Sequence, residues 1–128
     1  MSWQGMDRRK FPRVIYPCLV KIIDQNQGPL LTHTENIGMG GLCVTLKSEI
    51  KLFTPVAMEV DLLDLDEHIK PSGKVVWNVR RKAIEQVKPM FYDIGIEFGE
   101  MSKQDHDRLE RTLQILIAKG TQLSKPYI

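Results

Sequence analysis

The sequence is short of several things that usually announce a function. It has two cysteines in 128 residues, Cys18 and Cys43. They show no Cys-x-x-Cys spacing and no nearby ligand cluster, so neither a zinc ribbon nor a disulfide framework follows from them. Each lies in an apolar, strand-like run, the setting of a small buried hydrophobe in a reducing compartment. The three histidines, His33, His68 and His106, are scattered without a second ligand at metal spacing, so no metal is expected. No apolar run approaches the thickness of a bilayer, and residues 1–6 lack the hydrophobic core of a signal peptide. A cytoplasmic protein with no membrane insertion is therefore expected. Aromatics make up only 7% of the chain and are not interleaved with basic residues, as stacking platforms for single strands require. Formal net charge is only +2, too little for a coat that grips duplex DNA.

Catalytic machinery is missing as well. The acidic run from Asp61 to Glu67 has neither the glycine nor the terminal glutamate of a calcium loop. Ser102 has no identifiable histidine partner, and no pair of acids stands in a context that would raise a pKa. No enzymatic activity is expected.

What the chain does have is charge placed with care. Three arginines and a lysine fall in the six residues 8–13 (Arg8, Arg9, Lys10, Arg13). Residues 59–67 carry five acids and no base. Arg9 and Arg13 stand in Arg-x-x-x-Arg spacing, with Arg8 beside the first. A guanidinium is planar and permanently charged, and its donors match phosphate oxygens or the O6/N7 edge of guanine. Residues 1–13 read as a flexible basic arm.

From Val14 the pattern alternates. Val14, Tyr16, Cys18, Val20 and Ile22 share one face, and Pro17 argues for an edge or a bulge. Residues 24–29 form a turn, and 30–34 resume as a strand. The segment Asn36-Ile37-Gly38-Met39-Gly40-Gly41 reads as a glycine-rich turn before a third strand at 42–46. Residues 56–62 alternate as a fourth strand. Strand five covers 69–80, with Val75, Trp77 and Val79 on one side and Gly73 as a bulge. Residues 81–89 make a charged hairpin loop, and strand six places Tyr92, Ile94, Ile96 and Phe98 together.

The period then changes. Ser102 and Asp105 resemble a capping box. Leu109, Leu113, Leu116 and Ile117 follow at helical spacing, and Gly120 stops the element. The expected architecture is mainly β: a six-stranded antiparallel barrel over residues 14–120 with a C-terminal helix at about 102–119 and a tail at 121–128.

Arg-x-x-x-Arg entering the first strand, followed by Asn36-x-Gly38-x-x-Gly41, resembles the paired signature of the PilZ domain. The likeness extends through Gly73-Lys74-Val75-Val76-Trp77 and Gly95-Ile96-Glu97-Phe98. The family fold is a six-stranded split barrel, which agrees with the strand count. The resemblance implies binding of the bacterial second messenger cyclic di-GMP. It assigns Arg9 and Arg13 to phosphate and the Hoogsteen edge of guanine, Arg8 to a further contact, Asn36 to a guanine, and Gly41 to ligand clearance. Gly38 departs from the pattern, which has serine there, so one hydroxyl is missing. With no output domain visible, signalling through an unidentified protein partner in motility, biofilm or secretion control is implied. The alternatives are a degenerate module that works by protein contacts alone, which Gly38 favours, and a small barrel that binds RNA or single strands through the arm.

Overall fold

The computed structural model describes residues 12–81 and 90–123. Arg8, Arg9 and most of the expected arm and hairpin loop lie outside them. Seven strands precede one helix: β1 (Arg13–Val14), β2 (Leu19–Asp24), β3 (Gly28–Gly38), β4 (Gly41–Leu46), β5 (Pro55–Asp61), β6 (Ser72–Arg81), β7 (Phe91–Phe98) and α1 (Lys103–Ala118). Hydrogen bonding runs β3-β2-β5-β6-β7-β4 and returns to β3, so six antiparallel strands close a barrel, with β1 added outside β3. Closure removes the open sheet edges that a flat sheet of this composition would leave for aggregation.

The alternating apolar residues face inward as their spacing requires. Met58, Val60, Val75, Ile94 and Ile96 are all buried, none more than 2% exposed. Gly73 is no bulge. It pairs with Val56 and Phe98, and a Cβ there would meet Ile96 Cγ2 at 2.6 Å and Met58 Cε at 2.8 Å, so the filled interior is what requires glycine. The irregularity falls between Val75 and Trp77 instead. An extra residue there reverses the phase of β6. Val75 stays buried, whereas Trp77 is half-buried and Val79 exposed.

Pro17 does interrupt the first strand. Between β1 and β2, the buried Thr34 mends the break: its hydroxyl donates to Tyr16 O and accepts from Cys18 N at 2.9 Å, and its amide donates to Cys18 O at 2.9 Å. The backbone groups that Pro17 denies to the ladder are thereby satisfied. Both cysteines are buried thiols. Burial pushes Cys18 up to about 12, against a smaller opposing pull from the Thr34 hydrogen bond, so it stays protonated and unreactive at neutral pH.

Helix α1 follows the sequence closely, with two exceptions. Ser102 Oγ accepts from Asp105 N at 3.1 Å, but the capping box is half made. The Asp105 carboxylate accepts from Lys70 N at 2.9 Å instead, binding the helix to the barrel. Leu109 and Leu113 enter the core, about 1.5–3 kcal/mol each on burial. Ile117, expected on that face, is 41% exposed, because eight positions beyond Leu109 lie some 80° off its line. Gly120 (φ 81) ends the helix with bonds from Gly120 N to Ile117 O and Thr121 N to Leu116 O, both 3.0 Å, a Schellman closure. The chain then returns to β1. Leu123 pairs with Val14, and Ile15 N donates to Gln122 O at 2.9 Å.

Arg108 clamps the helix to the acidic loop. One of its nitrogens, Nη2, reaches both Asp64 oxygens, at 3.1 and 2.9 Å. Burial works against the Asp64 charge, but hydrogen bonds from Arg108 and the Asp66 amide outweigh it and hold its carboxyl below the ordinary 3.8. A depressed carboxyl adds stability above its unfolded value and loses it as pH falls through the folded one. Asp64→Asn is therefore expected to cost about 0.5–1 kcal/mol at neutral pH, and the deficit should shrink towards zero below 3.8. Thermal melts of both proteins across that range check it; a deficit that does not change with pH would show that the clamp is not ionic.

Candidate functional site

Of the site residues named from the sequence, Arg13, Asn36, Gly38 and Gly41 are among the described ones, and they lie where β1, β3 and β4 run side by side, with β7 and β6 beyond. Arg13 opens β1 opposite Gly38 of β3. Its Nη1 donates to Asn36 Oδ1 at 3.2 Å, joining two residues 23 apart in sequence. Asn36 is 4% exposed, so this pairing fixes its amide and leaves the Asn36 NH₂ to a further acceptor.

From Asn36 a row of outward positions crosses the sheet. Asn36 pairs with Cys43 of β4, Cys43 with Gly95 of β7, and Gly95 with Trp77 of β6. The Trp77 indole rests on Gly95: a Cβ there would lie 3.1 Å from Trp77 Cβ and 3.3 Å from Cε3. The row thus has a cation and an amide at one end, the buried Cys43 in the middle, and an aromatic ring laid over Gly95 at the other end. Burial pushes the Cys43 thiol up to about 11; Asp93 adds to this, while Arg13 and Arg81 pull the other way. Cys43 is neutral at physiological pH, so the charge at this face belongs to its rim.

Asn36 and Gly38 are not in a turn. β3 runs to Gly38, and only Met39 and Gly40 connect it to β4. None of Gly38, Gly40 and Gly41 has positive φ, so conformational freedom is not why glycine stands there. Close approach is the reason at two of them. A Cβ on Gly38 would meet Arg13 Cγ and Pro12 O, each at 2.9 Å, so the bare backbone lets the arginine stem cross β3. The serine of the family pattern would press on that stem. A Cβ on Gly41 would lie 2.2 Å from Ile96 O, so strand β7 occupies the space beside it.

Alternation reads Trp77 as core, with an aromatic near the ligand as the alternative, since nothing in the strand itself signals the bulge at residue 76. The neighbouring row is not legible in the sequence at all. Thr45 lies opposite Asp93, and its Oγ1 is 3.0 Å from both Glu35 Oε1 and Asp93 Oδ1. Arg81 pairs with Asp93 in turn. Among the described residues, His106, Asp107 and Glu110 form the one group with metal-ligating atoms close together, and all three are exposed on α1. Exposed acidic groups of this kind are common without an ion. No described helix is long and apolar enough to cross a membrane.

Comparison with known proteins places this face in context. A family model for the PilZ domain matches residues 7–114. No curated protein matches the sequence. Among solved structures, the PilZ domain of YcgR from Escherichia coli, with c-di-GMP, superposes with a TM-score of 0.68 at 16% identity, covering 88% of this chain and 94% of that one. The Bacillus subtilis inhibitor of motility MotI/DgrA gives 0.70 at 18% identity over 89% of this chain and 53% of that one. The MrkH–c-di-GMP complex of K. pneumonia gives 0.70 at 18% identity over 90% and 55%. This chain therefore spans about half the length of MotI and MrkH.

Proposed function

The chain belongs to the PilZ domain family, and from that premise we propose that it is a receptor for cyclic di-GMP. The observation that carries the reading is the Arg13–Asn36 bond at one end of the outer row. It brings both halves of the family signature to one place. A ligand with two phosphates and two guanines needs fixed cations, base-edge partners and a flat surface. Arg13 supplies the first, Asn36 the second, and the half-buried Trp77 indole, lying over Gly95, the third.

In this reading Arg13 forks to phosphate or to the O6/N7 edge of a guanine. Asn36 turns its NH₂ to a base, and the indole stacks on a base face, a contact worth about 1–3 kcal/mol. Arg9 and Arg8 complete the cation set from the arm. Ordering that arm around the dinucleotide changes the surface beside β1, and a protein partner reads the change. Two of the similar structures are complexes with c-di-GMP and a third is an inhibitor of motility, which supports the ligand class and, among the processes considered, the control of motility.

Gly38 favours a second reading, a module that has given up the nucleotide. Calorimetric titration of the purified protein with cyclic di-GMP decides between them. Micromolar or tighter binding is expected. Absence of heat, with the protein shown to be folded, would overturn the receptor reading in favour of protein contacts alone.

A further inference from the structure

Beside the outer row, strand β3 carries an irregularity with a specific result. Thr34 pairs with Val44 and Asn36 with Cys43, so Glu35 is an extra residue opposite nothing. Strict alternation would send Glu35 to the side opposite Asn36. The bulge re-aims it instead: Thr34 faces inward, and Glu35 lies exposed against Thr45 on the outer face next to Asn36. Glu35 and Thr45 also open onto a groove of about 590 Å³ that includes Thr32, His33, Lys47 and Phe91, so there is room beside the carboxylate.

Counting protons shows what Glu35 lacks. The Thr45 hydroxyl stands 3.0 Å from a Glu35 oxygen and 3.0 Å from an Asp93 oxygen, but it has a single hydrogen to donate. Asp93 is also held by Arg81. Glu35 has no cationic partner among the described residues. The row therefore holds more acceptors than donors, and the exposed Glu35 carboxylate, whose remaining acceptor sites face solvent, is the one open to an incoming donor pair. A carboxylate here also opposes an approaching dianion, unless it receives donors in return.

We propose that Glu35 reads the Watson–Crick edge of a guanine. This rests on the receptor reading above. A base held at the Asn36 row lies roughly 7 Å along the strand from the Thr45 row. Guanine offers acceptors, O6 and N7, to a guanidinium such as that of Arg13. Its N1–H and N2 amine are donors that a carboxylate accepts as a pair. Adenine has an acceptor at N1 and no 2-amine, so it meets the carboxylate lone pair to lone pair. Glu35 is thus the residue that selects guanine.

The test compares cyclic di-GMP with cyclic di-inosine monophosphate, which lacks only the 2-amino groups, on wild type, Glu35→Ala and Glu35→Gln. Wild type is expected to prefer the guanine ligand by about tenfold, the effect of one hydrogen bond to a charged group. Glu35→Ala should bring the two ligands within about twofold of one another, and Glu35→Gln should fall between. Both variants fold, because Glu35 is exposed and its partner is one hydroxyl. A preference that survives in Glu35→Ala, or tighter binding with the preference intact, overturns the assignment while the receptor stands. Wild type that binds neither ligand overturns the receptor reading, and the assignment falls with it.

Discussion

Arg13→Ala is expected to weaken cyclic di-GMP binding by about a hundredfold, the loss of two charge-assisted hydrogen bonds worth some 3 kcal/mol together. The fork of the guanidinium is what matters, so Arg13→Lys should recover only part of the affinity. With Arg9→Ala added, binding should pass out of calorimetric range. The fold pays a smaller toll. Asn36, 4% exposed, loses the donor at 3.2 Å from its carbonyl, which costs about 1 kcal/mol. Asn36→Ala makes the comparison informative, because it removes the same internal bond and leaves the cation, so beyond the loss of its own neutral base contact, about 0.5–1.5 kcal/mol, affinity should hold. If Arg13→Ala and Asn36→Ala lose stability alike but only the first loses most of the affinity, the guanidinium touches the ligand. If Arg13→Ala binds like wild type, the site lies elsewhere.

Gly41→Ala should be the most damaging glycine-to-alanine change among the described glycines. Its Cβ would sit 2.2 Å from Ile96 O, 3.1 Å from Ile96 C and 3.2 Å from Glu97 Cα. These atoms are main chain on the strand that Gly41 itself pairs with, so no rotamer change relieves the clash. Overpacking a core costs about 1–3 kcal/mol when side chains can give way. Here β4 and β7 must part, and a loss of at least about 3 kcal/mol is expected. Gly40→Ala is the control one residue away. Nothing lies within 4 Å of its Cβ and its φ is ordinary, so it should be neutral, or stabilising by about 0.4–1 kcal/mol through the unfolded chain. Denaturant midpoints measured side by side decide it. Equal midpoints would mean that the β4–β7 contact is looser than the structure shows.

Much of this molecule was legible in advance because its signals are local. The alternation at Val56, Met58 and Val60 needs only its own strand, and the Ser102 cap, Leu109, Leu113 and Gly120 need only one helix. Arg13 and Asn36 could be named from spacing, and they meet. What stayed hidden depends on neighbours. The bulges at residues 35 and 76 insert one residue against a partner strand, and each shifts which side chains face out; a single strand's pattern contains no trace of that. Strand alternation accordingly makes Trp77 a core residue, with an aromatic near the ligand as the alternative, and does not single out Glu35. The glycines of the motif suggest a turn or room for a ligand, whereas Gly38 and Gly41 are closely approached by the protein's own atoms, Arg13 and Pro12 at the first and Ile96 at the second. Asp105 was read as the second half of a capping box, and the Lys70 amide had the stronger claim on it.

The bridge between Val14 and Leu123 has an architectural consequence. Where these two residues pair, the polypeptide enters and leaves the barrel side by side. A unit with adjoining entrance and exit can be spliced into a surface loop of a larger protein without stretching its host. Such a graft would carry one of its junctions close to the Arg13–Asn36 pair, so strain from a host would reach that pair first.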